Sequence, residues 1–321
     1  MNRYHEIAEL IFPEIKITTA DLEKQYPPRN LEPEAIVTRF APSPTGFLHT
    51  GSLFTSLVSW RFAKQTEGVF FLRLEDTDQK REIKGSGDKV VEQLIKFGIT
   101  PDESYVHDGA YGPYIQSERR LIYHTVIKDM IKAGKAYPCF CTHDELNEIR
   151  KEQEAKKELP GYYHEYAKCR FLSDDEVIEK LKNKKEFVIR FKSLGMNDEK
   201  VILEDGIRGN IEFPKNIQDV VIMKTDGLPT YHFAHVVDDH LMRTTHVTRG
   251  EEWMPSAPIH LELFEQLNWT KPVFCHYPVI MKMDGDKRRK LSKRKDEEAS
   301  VDYFLEKGYP ISGFLEYLMT L

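Results

Sequence analysis

Arg39-Phe40-Ala41-Pro42-Ser43-Pro44-Thr45-Gly46-Phe47-Leu48-His49-Thr50-Gly51-Ser52 joins two segments of different periodicity. Before it, Ala35-Ile36-Val37 is a short apolar run that reads as a buried strand. After it, Leu53, Phe54, Leu57, Val58 and Phe62 fall on one face of a helix. Pro42, Pro44 and Gly46 force a turn between the two. The first backbone N–H groups of such a helix have no internal partner and its dipole favours negative charge, so the segment suits a phosphate group. His49 offers a hydrogen bond to that phosphate, and Gly51 leaves the backbone open to a ligand. An ordinary strand-to-helix connection with an incidental histidine has the same local pattern, and the segment alone leaves the two readings even.

Working outward, Val69-Phe70-Phe71-Leu72-Arg73-Leu74 predicts a second buried strand, ending in Glu75-Asp76-Thr77-Asp78. Helical spacing follows in Val90, Val91, Leu94, Ile95 and Phe97, and again over 117–133. This βαβα order predicts a doubly wound α/β fold, a Rossmann-like parallel sheet with helices on its faces. Ligands of such sheets bind beyond the carboxyl ends of the strands, so Glu75–Asp78 and Pro42–Gly46 are expected to share one crevice. Over 136–212 the texture changes to three cysteines, a charged helix (144–157) and short strands at 187–191, 201–203 and 209–213. That stretch reads as an inserted α/β domain. The parallel pattern resumes with strands at 219–224, 245–249 and 273–277 and helices at 231–240 and 253–267. The expected division is an N-terminal extension (1–34) acting as a docking helix or packing cover, a catalytic domain (35–118 and 219–288) and an insertion (119–218). A basic loop then opens a helical segment (289–321) whose ending reads as cut in mid-domain.

The 321 residues hold four cysteines, which argues against a disulfide framework and for a reducing compartment, by default the cytoplasm. No apolar run approaches the roughly 20 residues that span a bilayer, and no secretory signal is evident. A net charge of −6 does not advertise a nucleic-acid binder, yet phosphate contacts need only a local basic face. Lys287–Lys290 and Lys293-Arg294-Lys295 supply such clusters, most simply read as solvated loop.

Lysines on a mobile loop can close over a triphosphate and neutralise charge as pyrophosphate departs. Taken with the strand–turn–helix, Lys290-Leu291-Ser292-Lys293-Arg294 resembles the KMSKS signature of class I aminoacyl-tRNA synthetases, and His49-Thr50-Gly51-Ser52 resembles their HIGH signature. Ser52 stands where that signature has its second histidine, so one usual contact is absent or replaced. Arg39–Gly46, Leu72–Asp78, Tyr231-His232-Phe233-Ala234, Val237-Asp238-Asp239-His240 and Arg249-Gly250-Glu251-Glu252-Trp253 are similar to segments of the bacterial-type glutamyl-tRNA synthetases, in family order.

The resemblance implies ATP-dependent activation of glutamate and its transfer to tRNA, with Mg2+ on the phosphates and a monomeric enzyme. It implies an ATP site at Pro42, Ser43, Thr45, Gly46, His49, Gly51, Ser52, Lys290, Ser292 and Lys293. His49, Gly51, Lys290 and Lys293 are its catalytic members. Glutamate has two carboxylates and one ammonium, and Arg39 and Arg249 at strand ends can each bind a carboxylate in paired hydrogen bonds while Glu75 meets the ammonium. Ala41, Ser43, Tyr231 and His235 complete the expected glutamate site. Cys139-x-Cys141 and Cys169 can hold a structural zinc if His164, Tyr166 or His143 adds a fourth ligand. In the family the insertion holds the tRNA acceptor end, and a helical anticodon-binding region follows. Three alternatives compete: a shortened paralogue that glutamylates a modified tRNA base, a non-catalytic RNA-binding relative, and a nucleotidyltransferase for a small metabolite.

Overall fold

Two short helices, α1 (Arg3–Ile11) and α2 (Thr19–Gln25), precede the first strand of this computed structural model, which describes residues 3–44, 46–80, 83, 85–292 and 295–321. β1 (Val37–Phe40), α3 (Thr50–Gln65), β2 (Val69–Leu72) and α4 (Ser86–Lys96) follow as a βαβα unit. α5 (Arg120–Lys132), β3 (Ala136–Cys139), α6 (His143–Lys156), α7 (Asp174–Lys182) and β4 (Val188–Phe191) lead to the β5 (Lys200–Asp205)–β6 (Gly209–Pro214) hairpin and β7 (Val221–Met223). The chain ends with α8 (Tyr231–Leu241), β8 (His246–Gly250), α9 (Ala257–Leu267), β9 (Val273–Tyr277), the β10 (Met281–Asp284)–β11 (Lys287–Lys290) hairpin, α10 (Val301–Glu306) and α11 (Ile311–Leu318).

β1 pairs in parallel with β2, placing Arg39 opposite Phe71, and β8 pairs in parallel with β9, placing Arg249 opposite His276. The two pairs meet through Thr245, whose N–H donates to the Val37 carbonyl at 3.0 Å. Beyond β2, Leu72 donates to the carbonyl of Glu103 at 2.9 Å. Strand order thus reverses between β1 and β8, the place where α/β sheets open a ligand crevice. Phe70, Phe71 and Leu72 are fully buried in succession because the sheet is covered on both faces, which is why β2 reads as an unbroken apolar run. The α/β class with a parallel sheet is as the sequence predicts.

Membership of the sheets differs from the sequence reading at two places. The strand at 221–223, expected to rejoin the parallel sheet, instead runs antiparallel to β4 and completes a β3-β4-β7 sheet. The β5–β6 hairpin, expected within the insertion, attaches to β9 at Asp205–Phe274 and extends the sheet of β8 and β9. The cause is range: three or four apolar residues mark a strand but carry no information on which distant edge it joins. The N-terminal extension packs Ile7, Ala8, Phe12 and Ile15 into the core, and the buried Lys128 ammonium on α5 ties it down through the Phe12 and Ile15 carbonyls at 2.9 and 2.7 Å. At the other end, Phe314 and Leu318 of α11 join the cluster formed by Leu53 and Leu57 of α3 and Leu94 of α4.

Candidate active site

A cavity of about 670 Å³ opens beyond the carboxyl ends of β1, β2 and β8. Arg39, Ala41, Pro42, Ser43, Gly46, His49, Gly51, Ser52, Glu75, Tyr231, Arg249 and Lys290 all line it. Residues from five separate stretches of sequence therefore converge on one space, as the βαβ reading requires. Thr45 and Lys293 lie outside the described residues. Ser292 is not a lining residue; its N–H donates to Asp296 at 2.9 Å.

At one end of the cavity stands the start of α3. His49 is its N-cap residue with extended backbone, and the ring Nδ1 accepts from the Gly51 N–H at 2.9 Å. Nδ1 is therefore the unprotonated nitrogen of the neutral ring, and Nε2 keeps an N–H to donate. A Cβ on residue 51 would lie 3.1 Å from that Nδ1, so glycine there makes room for the capping histidine. Gly46 has a φ of +132°, open to glycine and strained for other residues. The basic hairpin faces this end. Leu291 donates to Ile280 at 3.1 Å, and Arg289 makes a paired bond to Asp296 at 2.6 and 2.7 Å. Beyond the loop, Thr50 donates to the Glu298 carbonyl at 2.7 Å, which docks the returning chain on the start of α3. Lys290 reaches over the mouth to Glu252 at 3.0 Å, with both side chains about half exposed.

The other end is buried and charged. Arg39 spans the two carboxylate oxygens of Asp239 at 3.2 Å each. Arg73, with no exposure, meets Asp239 at 2.8 Å and Glu75 at 3.0 Å. Arg119 meets Asp238 at 2.7 Å, and Gln116 and Tyr123 each donate to the same carboxylate at 2.8 Å. Burial opposes the charge of Asp239, yet Arg39 and Arg73 hold its carboxyl below the usual range. Glu75 goes the other way: burial raises its carboxyl although Arg73 and Arg39 oppose the shift.

Arg249 is different. Its Nε donates to His276 Nε2 at 2.8 Å, and its Nη1 lies 3.3 Å from both the Tyr231 hydroxyl and His260 Nδ1. Its Nη2 is buried and has no hydrogen-bond partner, and among the described residues no carboxylate forms an ion pair with it. Burial lowers its pKa. Four arginines (Arg39, Arg73, Arg119, Arg249) thus face three carboxylates (Glu75, Asp238, Asp239), leaving one positive charge without a partner at the cavity wall.

His235 does not line the cavity. It is fully buried behind Tyr231, with Nδ1 3.1 Å from Asp239, so its place is in the support of Arg39 rather than against a ligand. Arg73, Asp238 and Asp239 lie in segments that resemble the family, but the resemblance gave them no role, and Arg119 lies outside those segments. Their signal is charge inside apolar runs: Arg73 between Leu72 and Leu74, and the two aspartates after Val236-Val237.

The sulfurs of Cys139, Cys141 and Cys169 lie within 4.8 Å of one another, and none is in a disulfide. The Cys141 and Cys169 sulfurs are 3.5 Å apart, a separation suited to two thiolates on one tetrahedral zinc. The Tyr162 hydroxyl lies 3.5 Å from the Cys139 sulfur and 3.3 Å from that of Cys141, and the Phe140 N–H donates to the Cys169 sulfur at 3.3 Å. Tyr166, expected as a ligand, is instead engaged by Glu158 at 2.6 Å and Lys156 at 3.2 Å, and neither His164 nor His143 is in the sulfur cluster.

Residues 35–321 match the family described as tRNA synthetases class I (E and Q), catalytic domain. The glutamate–tRNA ligase of Clostridium perfringens strain 13 is 51% identical over 99% of this chain and 59% of its own length. That of Clostridium beijerinckii is 49% identical over 99% of this chain and 58% of its own. The crystal structure of a glutamate tRNA ligase from Elizabethkingia meningosepticum, in complex with its amino acid, superposes with a TM-score of 0.76 at 43% identity, covering 86% of this chain and 54% of that one. The chain spans a little under three fifths of the curated relatives it matches.

Proposed function

Since the chain belongs to the family of class I tRNA synthetase (E and Q) catalytic domains, we propose that its protein activates L-glutamate with MgATP and transfers the glutamyl group to the 3′ end of tRNA. The observation that carries glutamate is the unpaired, buried Arg249 beside Glu75 and Tyr231 in the cavity wall. A guanidinium there binds a carboxylate in charge-assisted bonds, and the one positive charge left over matches the net charge of glutamate. Arg39, already spanning Asp239, is the preorganised second cation, and Glu75 faces the ammonium.

In this reading ATP lies with its phosphates toward the start of α3. The α-carboxylate of glutamate attacks the α-phosphorus, the bond to the bridging oxygen of pyrophosphate breaks, and glutamyl-adenylate forms. The terminal ribose hydroxyl of tRNA then attacks the glutamyl carbonyl and AMP leaves. No side-chain nucleophile takes part: the protein aligns the reactants and stabilises charge. The Nε2–H of His49 and the ammonium groups of Lys290 and Lys293 supply that stabilisation at the phosphates. The insertion holds the acceptor end, braced by a structural zinc on Cys139, Cys141 and Cys169, with Tyr162 in reach as the fourth group. The enzyme works as a monomer in the cytoplasm, where translation takes place.

Glutamate-dependent exchange of pyrophosphate into ATP, measured with tRNA present, tests the reading. Exchange should require glutamate and tRNA together; a folded sample with none would overturn it. Lys293→Ala should lower the exchange rate far more than glutamate binding, and an equal loss in both would remove Lys293 from the catalytic step.

A further inference from the structure

Arg249 is held by an unusual set of groups. A guanidinium is always protonated and can only donate, so His276 Nε2, 2.8 Å from Arg249 Nε, must be an acceptor. The proton of His276 then sits on Nδ1, which donates to Asp205 at 2.6 Å. The same logic applies on the other side. His260 Nδ1 accepts from Arg249 Nη1 at 3.3 Å, so its Nε2–H donates to His232 Nδ1 at 3.2 Å. Both histidines are fully buried, and burial keeps both rings neutral near pH 7. Asp205 lies behind His276 on the β5–β6 hairpin, its charge satisfied by the N–H groups of Ile207 and Arg208 at 3.0 Å each. Phe274 covers the guanidinium face, its ring centroid 5.0 Å away.

The neighbouring arginines are fixed by carboxylates, whereas Arg249 is fixed by neutral rings of set tautomer. We propose that His276, oriented by Asp205, and His260, oriented by His232, are positioning residues that hold Arg249 without neutralising it, so that its charge stays available to the substrate carboxylate. The inference deepens the glutamate reading and rests on it for the identity of the carboxylate. It gives the β5–β6 hairpin a function: Asp205 reaches the site from a strand that sequence assigns to the insertion. A carboxylate in place of either ring would fix the guanidinium as firmly and would compete with substrate.

The test compares His260→Asn with His260→Asp. The asparagine oxygen can accept where Nδ1 does, and the aspartate adds only charge. The aspartate variant should be at least as heat-stable as the asparagine variant, since it gives a buried cation a counter-ion, yet show a KM for glutamate at least tenfold higher at an equal KM for ATP. Equal KM values for glutamate, or KM rising in step with loss of Tm, would overturn the proposal. Should both variants fail to fold, nitrogen-15 NMR of the wild-type full chain decides it: His276 must carry its proton on Nδ1, and a proton on Nε2 is fatal. Asp205→Asn should shift that tautomer balance and raise the glutamate KM several-fold. A wild-type protein inactive in glutamate exchange would overturn the substrate reading alone, and the tautomer measurement would still judge the positioning set.

Discussion

The two ends of the cavity handle charge in opposite ways. At the end proposed for the amino acid, Arg39, Arg73 and Asp239 are buried and joined to one another, so the geometry exists before any ligand arrives. At the end proposed for the phosphates, Lys290 and Glu252 are half exposed and paired across the mouth, in a contact that a bound phosphate could exchange for its own oxygens. On the proposed function, the difference follows from what each end would recognise. A small zwitterion is distinguished by fixed, desolvated charges, and each of these is costly unless partnered. A polyphosphate brings several negative charges of its own, and an exposed lysine such as Lys290 would bind it without a buried cost.

The comparison breaks first at Asp239. Asp239→Asn leaves Arg39 and Arg73 buried with reduced compensation, a change expected to cost about 3–5 kcal/mol of stability, read as a lower urea midpoint. A loss below about 1 kcal/mol would mean that water reaches the network. Next comes the unpaired arginine. Arg249→Met keeps much of the bulk and removes the charge, and should weaken glutamate binding by about 2–4 kcal/mol with the KM for ATP little changed. Here stability should hold or rise, because an uncompensated buried cation has gone. That opposite sign from Asp239 is the sharpest contrast between paired and unpaired charge within one wall.

Acid sharpens the same point. Burial lowers the pKa of His232 to about 4 and that of His235 and His260 well below the usual 6.5. In the unfolded chain these rings take up protons below about 6.5, while the folded chain refuses them. Stability is therefore fully present above pH 6.5 and lost as pH falls toward 4, by up to about 1.4 kcal/mol per pH unit for each ring that stays neutral. Urea melts at pH 7, 6 and 5 should show that decline, and a flat profile would mean the rings titrate in place. His260→Asn should flatten it in part.

How far the sequence could go depends on the range of each interaction. The turn at Pro42–Gly46, the His49 cap and the apolar run of β2 are local, and their periodicity and turn residues state them directly. The rule that parallel strands bind ligands at their carboxyl ends brought Glu75 and the Pro42–Gly46 turn together without coordinates, and the family resemblance added Arg39 and Arg249. Sheet membership is not local: Asp205 and His276 are 71 residues apart, and nothing in Lys200–Asp205 says that it joins β9. The thiol cluster shows the same limit, since the spacing of Cys139, Cys141 and Cys169 allows a metal site if a fourth ligand is near, while the approach of Tyr162 depends on how the intervening loop folds. The proposed zinc yields a separate check: the wild-type chain should bind one zinc by atomic absorption, and Cys141→Ser should lower that toward zero and loosen the segment around the thiols to proteolysis.

The smallest effect belongs to the mouth. Glu252→Gln removes the partner of Lys290 while leaving its ammonium in place. An exposed pair of this kind contributes between about 0 and 1 kcal/mol, so stability should hardly move. The informative quantity is the KM for ATP. If Glu252 competes with phosphate for Lys290, the glutamine variant should bind ATP up to about fivefold more tightly, within the same 1 kcal/mol, and the gain should shrink as salt rises. Weaker ATP binding would instead make the pair a latch that the nucleotide needs, and would place fixed geometry at both ends of the cavity.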